Sequence, residues 1–179
     1  MRADRFGSTA LRPRHVVVMG VSGSGKSAVA AQLADALACA LAEGDELHPA
    51  ANVAKMRARQ PLTDADRAPW LAAIAAWVRA RDANGESTVV ACSALKRRYR
   101  DVLRTAAARV CFVHLDVPPD MLRQRLGRRL HFMPVDLLAS QLRDLEALER
   151  DEPGFAVDAA RPLDAVVADV VERLAPNAA

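Results

Sequence analysis

Apolar positions along the chain switch repeatedly between two spacings. Short runs rich in β-branched and apolar residues stand at His15–Met19, Cys39–Glu43, Thr88–Cys92, Val110–Asp116 and Gly154–Val157. Runs of that length read as strands. The stretches between them carry apolar residues at helical spacing. The alternation predicts an α/β fold: a five-stranded parallel sheet with helices on both faces. Right-handed crossovers then bring the C-terminal strand ends to one functional edge. The loops that leave the strands there are 20–27, 44–49, 92–96 and 116–119.

Two helices are legible in detail. Thr63-Asp64-Ala65-Asp66 has the form of a capping box. Behind it Trp70, Leu71, Ile74, Trp77 and Val78 form an apolar stripe. Near the end, Pro162 suits a first helical position. Leu163, Val166, Val167, Val170, Val171 and Leu174 then form the packing face of a last helix.

Composition narrows the class. The chain has 179 residues, of which 51% are hydrophobic and only 4% aromatic. One domain with a core of Ala, Leu and Val follows, over residues 15–175. Residues 1–14 carry arginines without an apolar signal segment and read as a disordered leader. Net charge is +3, with acids and bases interspersed. That balance and the few aromatics argue against a nucleic-acid binder. No run approaches the roughly 20 apolar residues of a membrane span. Cys39, Cys92 and Cys111 lack metal-ligand spacing and read as buried free thiols in a reducing compartment. A cytoplasmic protein is expected.

The sharpest chemical signal is Gly20-Val-Ser-Gly-Ser-Gly-Lys-Ser27, which fits the phosphate-loop pattern G-x-x-x-x-G-K-[ST]. A strand precedes it, and a helix expected over Ala28–Leu37 follows, as that loop requires. Glycines let backbone N–H groups turn toward a polyphosphate, and the helix start adds positive potential. The nucleotide-binding set is Gly20, Val21, Ser22, Gly23, Ser24, Gly25, Lys26, Ser27 and Ala28. Lys26 is placed for the outer phosphates of ATP, and Ser27 for Mg²⁺.

Four further segments suggest where an acceptor binds. Asp45, after the second strand, suits a base or a partner of hydrated Mg²⁺. A turn Asp beside Gly44 is the competing reading, and Glu43 and Glu46 are weaker candidates that read as solvated. Pro49 opens a short helix on which Asn52, Lys55, Met56 and Arg59 share a face. That face is either solvated or turned to an anionic ligand, with His48 just ahead of it. Arg67 is a cation at a helix start, where the dipole disfavours it, so an outside anion suits it. Lys96 follows a third strand that does not end on an acid, so metal must rest on Ser27, nucleotide and water, with help from Asp45. Finally, residues 121–131 hold four arginines and no acid. They are either an exposed basic helix or a lid, about 121–140, that brings Arg125, Arg128 or Arg129 over the transferring phosphoryl group.

Taken together, these segments resemble the gluconate kinase family of small P-loop kinases. The resemblance covers about residues 15 to 174. It rests on the phosphate loop, Glu43-Gly-Asp-Glu-Leu-His-Pro49, Asn52-x-x-Lys55-Met56 and Pro61-Leu-Thr-Asp-x-Asp-Arg67. Pro69-Trp-Leu71, Ala91-Cys-Ser-Ala-Leu-Lys96, Tyr99-Arg-Asp101, His131-Phe132 and Ser140-Gln141 complete it. It implies ATP- and Mg²⁺-dependent phosphorylation of D-gluconate at its 6-hydroxyl, a fold akin to nucleoside monophosphate kinases, and a homodimer. Under it Lys26, Asp45, Arg125, Arg128 and Arg129 are catalytic, and Asp45, His48, Asn52, Lys55, Arg67 and Lys96 hold the acceptor. Two residues depart from the family pattern. Leu130 stands where Gly usually precedes His-Phe, which would stiffen the lid. Ala147 stands where Pro usually follows Leu-Glu, which would extend the local helix. The other readings are a shikimate or nucleoside monophosphate kinase of the same fold and a nucleotide-binding regulator without turnover.

Overall fold

The computed structural model describes residues 14–58, 60–128 and 135–175. Five strands form one parallel sheet: β1 (His15–Met19), β2 (Ala40–Glu43), β3 (Thr88–Ala91), β4 (Val110–Asp116) and β5 (Gly154–Asp158). Their order across the sheet is β2-β3-β1-β4-β5. Helices α1 (Lys26–Leu37), α2 (Ala50–Arg57), α3 (Asp64–Ala83), α4 (Arg97–Arg104), α5 (Pro119–Arg128), α6 (Val135–Asp144) and α7 (Leu163–Leu174) fill the connections. A short 3-10 turn, Gly44–Leu47, follows β2. The expected fold class is the observed one.

β1 explains why the run Val16–Met19 is apolar at every position. It pairs with β3 through Val17↔Val90 and with β4 through Val17↔Phe112, so it is central in the sheet, and helices cover both its faces. Val16 and Val18 join Val29, Leu33, Val166 and Val170 in a core beneath α1 and α7. Val17 and Met19 join Trp70, Ile74, Val78 and Leu103 in a second core beneath α3 and α4. The period-2 alternation of β1 thus feeds two separate cores.

Several local readings are corrected. Cys39 lies in the turn after α1, whose cap residue Ala38 is left-handed at φ 51°, so β2 starts at Ala40. β3 stops at Ala91 and β5 runs on to Asp158. α1 starts at Lys26, inside the phosphate loop. Pro49 and Pro162 cap their helices with extended ψ values of 151° and 145° and do not occupy the first turn. Cys92 is buried, but Cys39 and Cys111 are only half-buried. The ladder of β5 on β4 begins at Phe112, one residue beyond Cys111. α6 ends at Asp144, so Ala147 extends no helix. The carbonyls of Glu146 and Ala147 are turned instead onto the Arg100 guanidinium. Arg14, assigned to the leader, is tied to the sheet: its N–H donates to Ser87 Oγ at 3.0 Å, and its carbonyl accepts from Thr88 N–H at 3.0 Å. Residues 1–13 lie outside the described residues.

Gly44 is where the β2 exit touches β3. A Cβ there would lie 2.6 Å from the carbonyl oxygen of Ala91 and 3.3 Å from Ile74. Backbone cannot yield as a flexible side chain does. Gly44→Ala should therefore lower stability by about 1–3 kcal/mol, the range for overpacking. A urea titration reads it as a lower midpoint at unchanged slope. An unchanged midpoint would show that β2 and β3 can separate freely at this point.

Candidate active site

The phosphate loop runs from the exit of β1 into α1. Its turn is closed by Ser24 N–H donating to Val21 O at 3.2 Å. Gly25, the N-cap of α1, has φ 100°, a conformation that a Cβ would strain. Nothing lies within 4 Å of the point where that Cβ would sit, so the loop stays open there. Lys26 Nζ donates back to Val21 O at 3.0 Å, arched over the loop. The Ser24 hydroxyl is buried and has no hydrogen-bond partner among the described residues. Gly20 N–H donates to Ser93 O at 3.3 Å, which ties the loop to the exit of β3.

The Ser27 hydroxyl donates to Glu43 Oε2 at 3.1 Å. Glu43 is the last residue of β2, so the strand end carries a carboxylate to the start of α1. Burial pushes its carboxyl above the usual range. The Ser27 hydrogen bond pulls the other way, and the neighbouring Asp45 and Glu46 add to the rise. A half-buried carboxylate crowded by two others is stabilised by a cation. Among the described residues no three His, Cys, Asp or Glu side chains group as a metal cage. The donor set instead suits Mg²⁺, which takes one or two carboxylates and keeps waters and phosphate oxygens. Sequence reasoning set Glu43 aside as solvated. The available signal was its place as the last residue of a strand, beside the loop.

The acceptor-side residues fall into two groups. In the first, His48 stacks on Trp70, with ring centroids 4.3 Å apart and planes 13° off parallel. Trp70 Nε1–H donates to Gly44 O at 2.7 Å, which locks the ring under the β2 exit. Asn52, buried, donates to Asp66 O at 2.7 Å and lies 3.2 Å from His48 Nδ1. With Nδ1 as the acceptor, the imidazole proton sits on Nε2. Burial holds the His48 pKa below its ordinary value; Asp45 opposes this and Arg67 reinforces it. That direction favours the neutral imidazole. The predicted polar face of α2 is split: Asn52 is buried, Met56 is exposed, and Lys55 bonds Asp66 Oδ1 at 2.6 Å. Arg59 lies outside the described residues.

In the second group, Tyr99 stands among cations. The charged groups of Arg67 and Lys96 each lie 5.8 Å from its ring centroid, and that of Arg98 lies at 5.6 Å. The Tyr99 hydroxyl and Arg98 both bond Asp64, the first residue of α3. Lys96 pairs with Asp64 at 3.4 Å and with Asp144 of α6 at 3.3 Å. Arg67 donates to Leu62 O at 2.5 Å. An open groove of about 490 Å³ borders Lys96, Arg98, Arg143 and Asp144. From the sequence Trp70 reads as packing and Asp64 as capping, and Tyr99 has no role beyond its motif. Their tertiary partners carry no short-range signal.

The expected lid contributes Arg125, and Gln141 stands just beyond it. Arg125 on α5 donates to Ser24 O at 3.4 Å and to Ala159 O at 2.9 Å, which brings it against the phosphate loop. Gln141 on α6 accepts from Ser22 N–H at 2.7 Å. Arg128 falls on the last turn of α5, and only its backbone is described. Arg129, Leu130, His131 and Phe132 lie outside the described residues. Phosphate loop, Glu43, Asp45, the His48 group, the Tyr99 group and Arg125 all meet at the C-terminal edge of the sheet.

A phosphate loop on a five-stranded parallel sheet, with carboxylates and cations at the strand exits, defines a P-loop phosphotransferase. Residues 16–148 match the family described as an AAA domain. A gluconokinase of Gluconobacter oxydans (strain 621H) is 50% identical over 90% of this chain and 91% of its own length. The unliganded structure of a sugar kinase from Janibacter sp. HTCC2649 is 48% identical and superposes with a TM-score of 0.86, over 92% of this chain and 96% of that one. A gluconokinase structure from Sinorhizobium meliloti 1021 is 46% identical, with a TM-score of 0.79 over 91% and 96% of the two chains. The chain belongs to the gluconokinase family of P-loop kinases.

The Asp66 carboxylate is held down to about 2 from its ordinary 3.8, first by its hydrogen bond from Lys55 and then by those from Thr63. A depressed acid stabilises the fold fully above its unfolded pKa and loses that contribution as pH falls through the folded one. The Tm advantage of the protein over Asp66→Asn should hold steady above about pH 4.5 and vanish toward pH 2. A pH-independent difference would rule out the ionised capping box as its source.

Proposed function

We infer that the protein transfers the γ-phosphoryl group of ATP to the 6-hydroxyl of D-gluconate, forming 6-phospho-D-gluconate and ADP. Family membership across most of the chain supports this reading. One juxtaposition carries it: an ATP phosphate loop and a polar, cation-rich acceptor cleft share one sheet edge. Gluconate is a small anion with several hydroxyls. Its carboxylate suits Arg67 or Lys96, and Lys55 if Asp66 yields it. Its hydroxyls suit His48 Nε2–H, Asn52 and the carboxylates of the 43–46 turn.

The roles follow from charge and position. Lys26 and the loop N–H groups hold the transferring phosphate. Asp45 orients the 6-hydroxyl and accepts its proton. Arg125 offsets charge on the phosphoryl oxygens, with Arg128 and Arg129 on the same lid segment. Ser27 and Glu43 would hold Mg²⁺, which, when bound, neutralises charge on the phosphate oxygens. His48, as a neutral imidazole, would donate a hydrogen bond without adding charge. We also take the protein to be a cytoplasmic homodimer, as the resemblance implies. No helix among the described residues is long and apolar enough to cross a membrane. Sedimentation equilibrium showing only monomer at micromolar concentration would remove the dimer.

ADP release from Mg-ATP should depend on D-gluconate and not on shikimate or nucleoside monophosphates. Asp45→Ala should keep nucleotide affinity while kcat falls at least ~100-fold, the scale of a lost general base. Lys26→Ala should lose both affinity and rate. Normal turnover in the Asp45 variant would take Asp45 out of the chemistry. Release with another acceptor alone would overturn the substrate.

A further inference from the structure

Among the described residues Arg100 makes the most side-chain hydrogen bonds, and the chemistry above does not use it. Its side chain and that of Glu152 are both fully buried. The two form a bidentate pair, Nε to Oε1 at 2.6 Å and Nη2 to Oε2 at 2.8 Å. Arg100 also donates to Ala94 O at 3.3 Å, Leu95 O at 3.1 Å, Glu146 O at 3.0 Å and Ala147 O at 3.2 Å. Glu152 Oε2 in turn accepts from Glu149 N–H at 2.9 Å. Apolar residues of similar volume could fill such a site without desolvating two charges, often at no loss of stability. What an ion pair adds is direction, because a planar guanidinium specifies where each acceptor must lie.

The four carbonyls come from two irregular segments that neither sheet nor helix orders. One leaves β3 and contains Ala94, buried and left-handed at φ 43°, a conformation that a Cβ disfavours. Lys96 follows it directly. Just before it, Ser93 O accepts from Gly20 of the phosphate loop. The other segment follows α6, the helix that carries Gln141 and Asp144. Gln141 holds Ser22 N–H, and Asp144 pairs with Lys96. The two segments also bond directly, Glu146 N–H to Leu95 O at 2.8 Å.

We propose that the Arg100–Glu152 pair is a positioning element for the acceptor. It clamps the 94–95 and 146–147 segments together, so that Lys96 and the C-terminal end of α6 are held as one unit at a set distance from the phosphate loop. The proposal rests on the reading that the acceptor anion binds beside Lys96. Loosening the clamp displaces Lys96, while the phosphate loop, anchored between β1 and α1, keeps its own turn and so its nucleotide binding.

The test uses Glu152→Gln, which keeps the shape, and Arg100→Met/Glu152→Met, which removes both charges. Folding is checked by circular dichroism. In folded variants the KM for D-gluconate should rise about 10-fold or more, as expected for a misplaced binding group. The KM for ATP should stay within about twofold, since β1 and α1 hold its loop from both ends. A purely structural role would lower Tm and the active fraction and leave both KM values alone, which overturns the proposal. Hydrogen exchange on the unsubstituted protein decides the case where neither variant folds, and it needs no acceptor. The Glu146 and Glu149 amides should exchange as slowly as those of β1. Exchange as fast as a surface loop would mean there is no clamp. Absence of gluconate-dependent turnover in the unsubstituted protein would sink the acceptor reading instead, leaving the clamp to the exchange data.

Discussion

The hydrogen-bond ladders on both sides of β1 are the constraint on which the rest depends. β1 lies between β3 and β4, while its own chain continues to β2, beyond β3. The chain leaving β1 therefore goes one way across the sheet, and the chain leaving β3 goes the other. A crevice opens between the two exits, the place where open α/β sheets bind ligands. The phosphate loop forms one wall and residues 92–96 the other. The bond from Gly20 N–H to Ser93 O spans it. Shifting β1 by one residue would exchange its two cores and dismantle the crevice.

Electrostatics at that edge is arranged by strand ends and helix starts. Glu43 ends β2, Asp45 lies in the turn after it, and Ser27 lies in the first turn of α1. Glu43 is half-buried against Ser27, and burial raises its pKa. A polyphosphate bound with a divalent cation would meet complementary charge there. On the far side, cations gather around Tyr99 and are balanced by Asp64 and Asp144. An arriving carboxylate would compete with those two acids. Surface pairs of this kind contribute little stability, so the exchange is not strongly opposed.

Much of this was legible in the residues. The apolar runs located all five strands to within a residue; for β1 and β3, buried at every position, the reason is that a strand covered on both faces has almost no alternative composition. The capping box at Thr63 was legible because its partners are three residues apart: Asp66 N–H donates to Thr63 Oγ1 at 3.2 Å, and Asp66 Oδ2 accepts from Thr63 N–H at 2.9 Å. Other features were misread. Ala147 suggested a longer helix, but Arg100 claims the carbonyls there. Glu43 passed for a solvated acid, since its partner Ser27 lies in another element 16 residues away.

The sequence by itself determined the class of fold, the phosphate loop with its Lys26 and Ser27, and the family resemblance. Each rests on short-range physics: side-chain periodicity, glycine conformations and caps whose atoms meet within a few residues. Tertiary structure alone decided which distant groups meet. Ser27 met Glu43, His48 met Trp70, and Arg100 met Glu152 across 52 residues. Those meetings follow from strand order and helix packing, which sum many weak contacts over the whole chain. No single segment carries them.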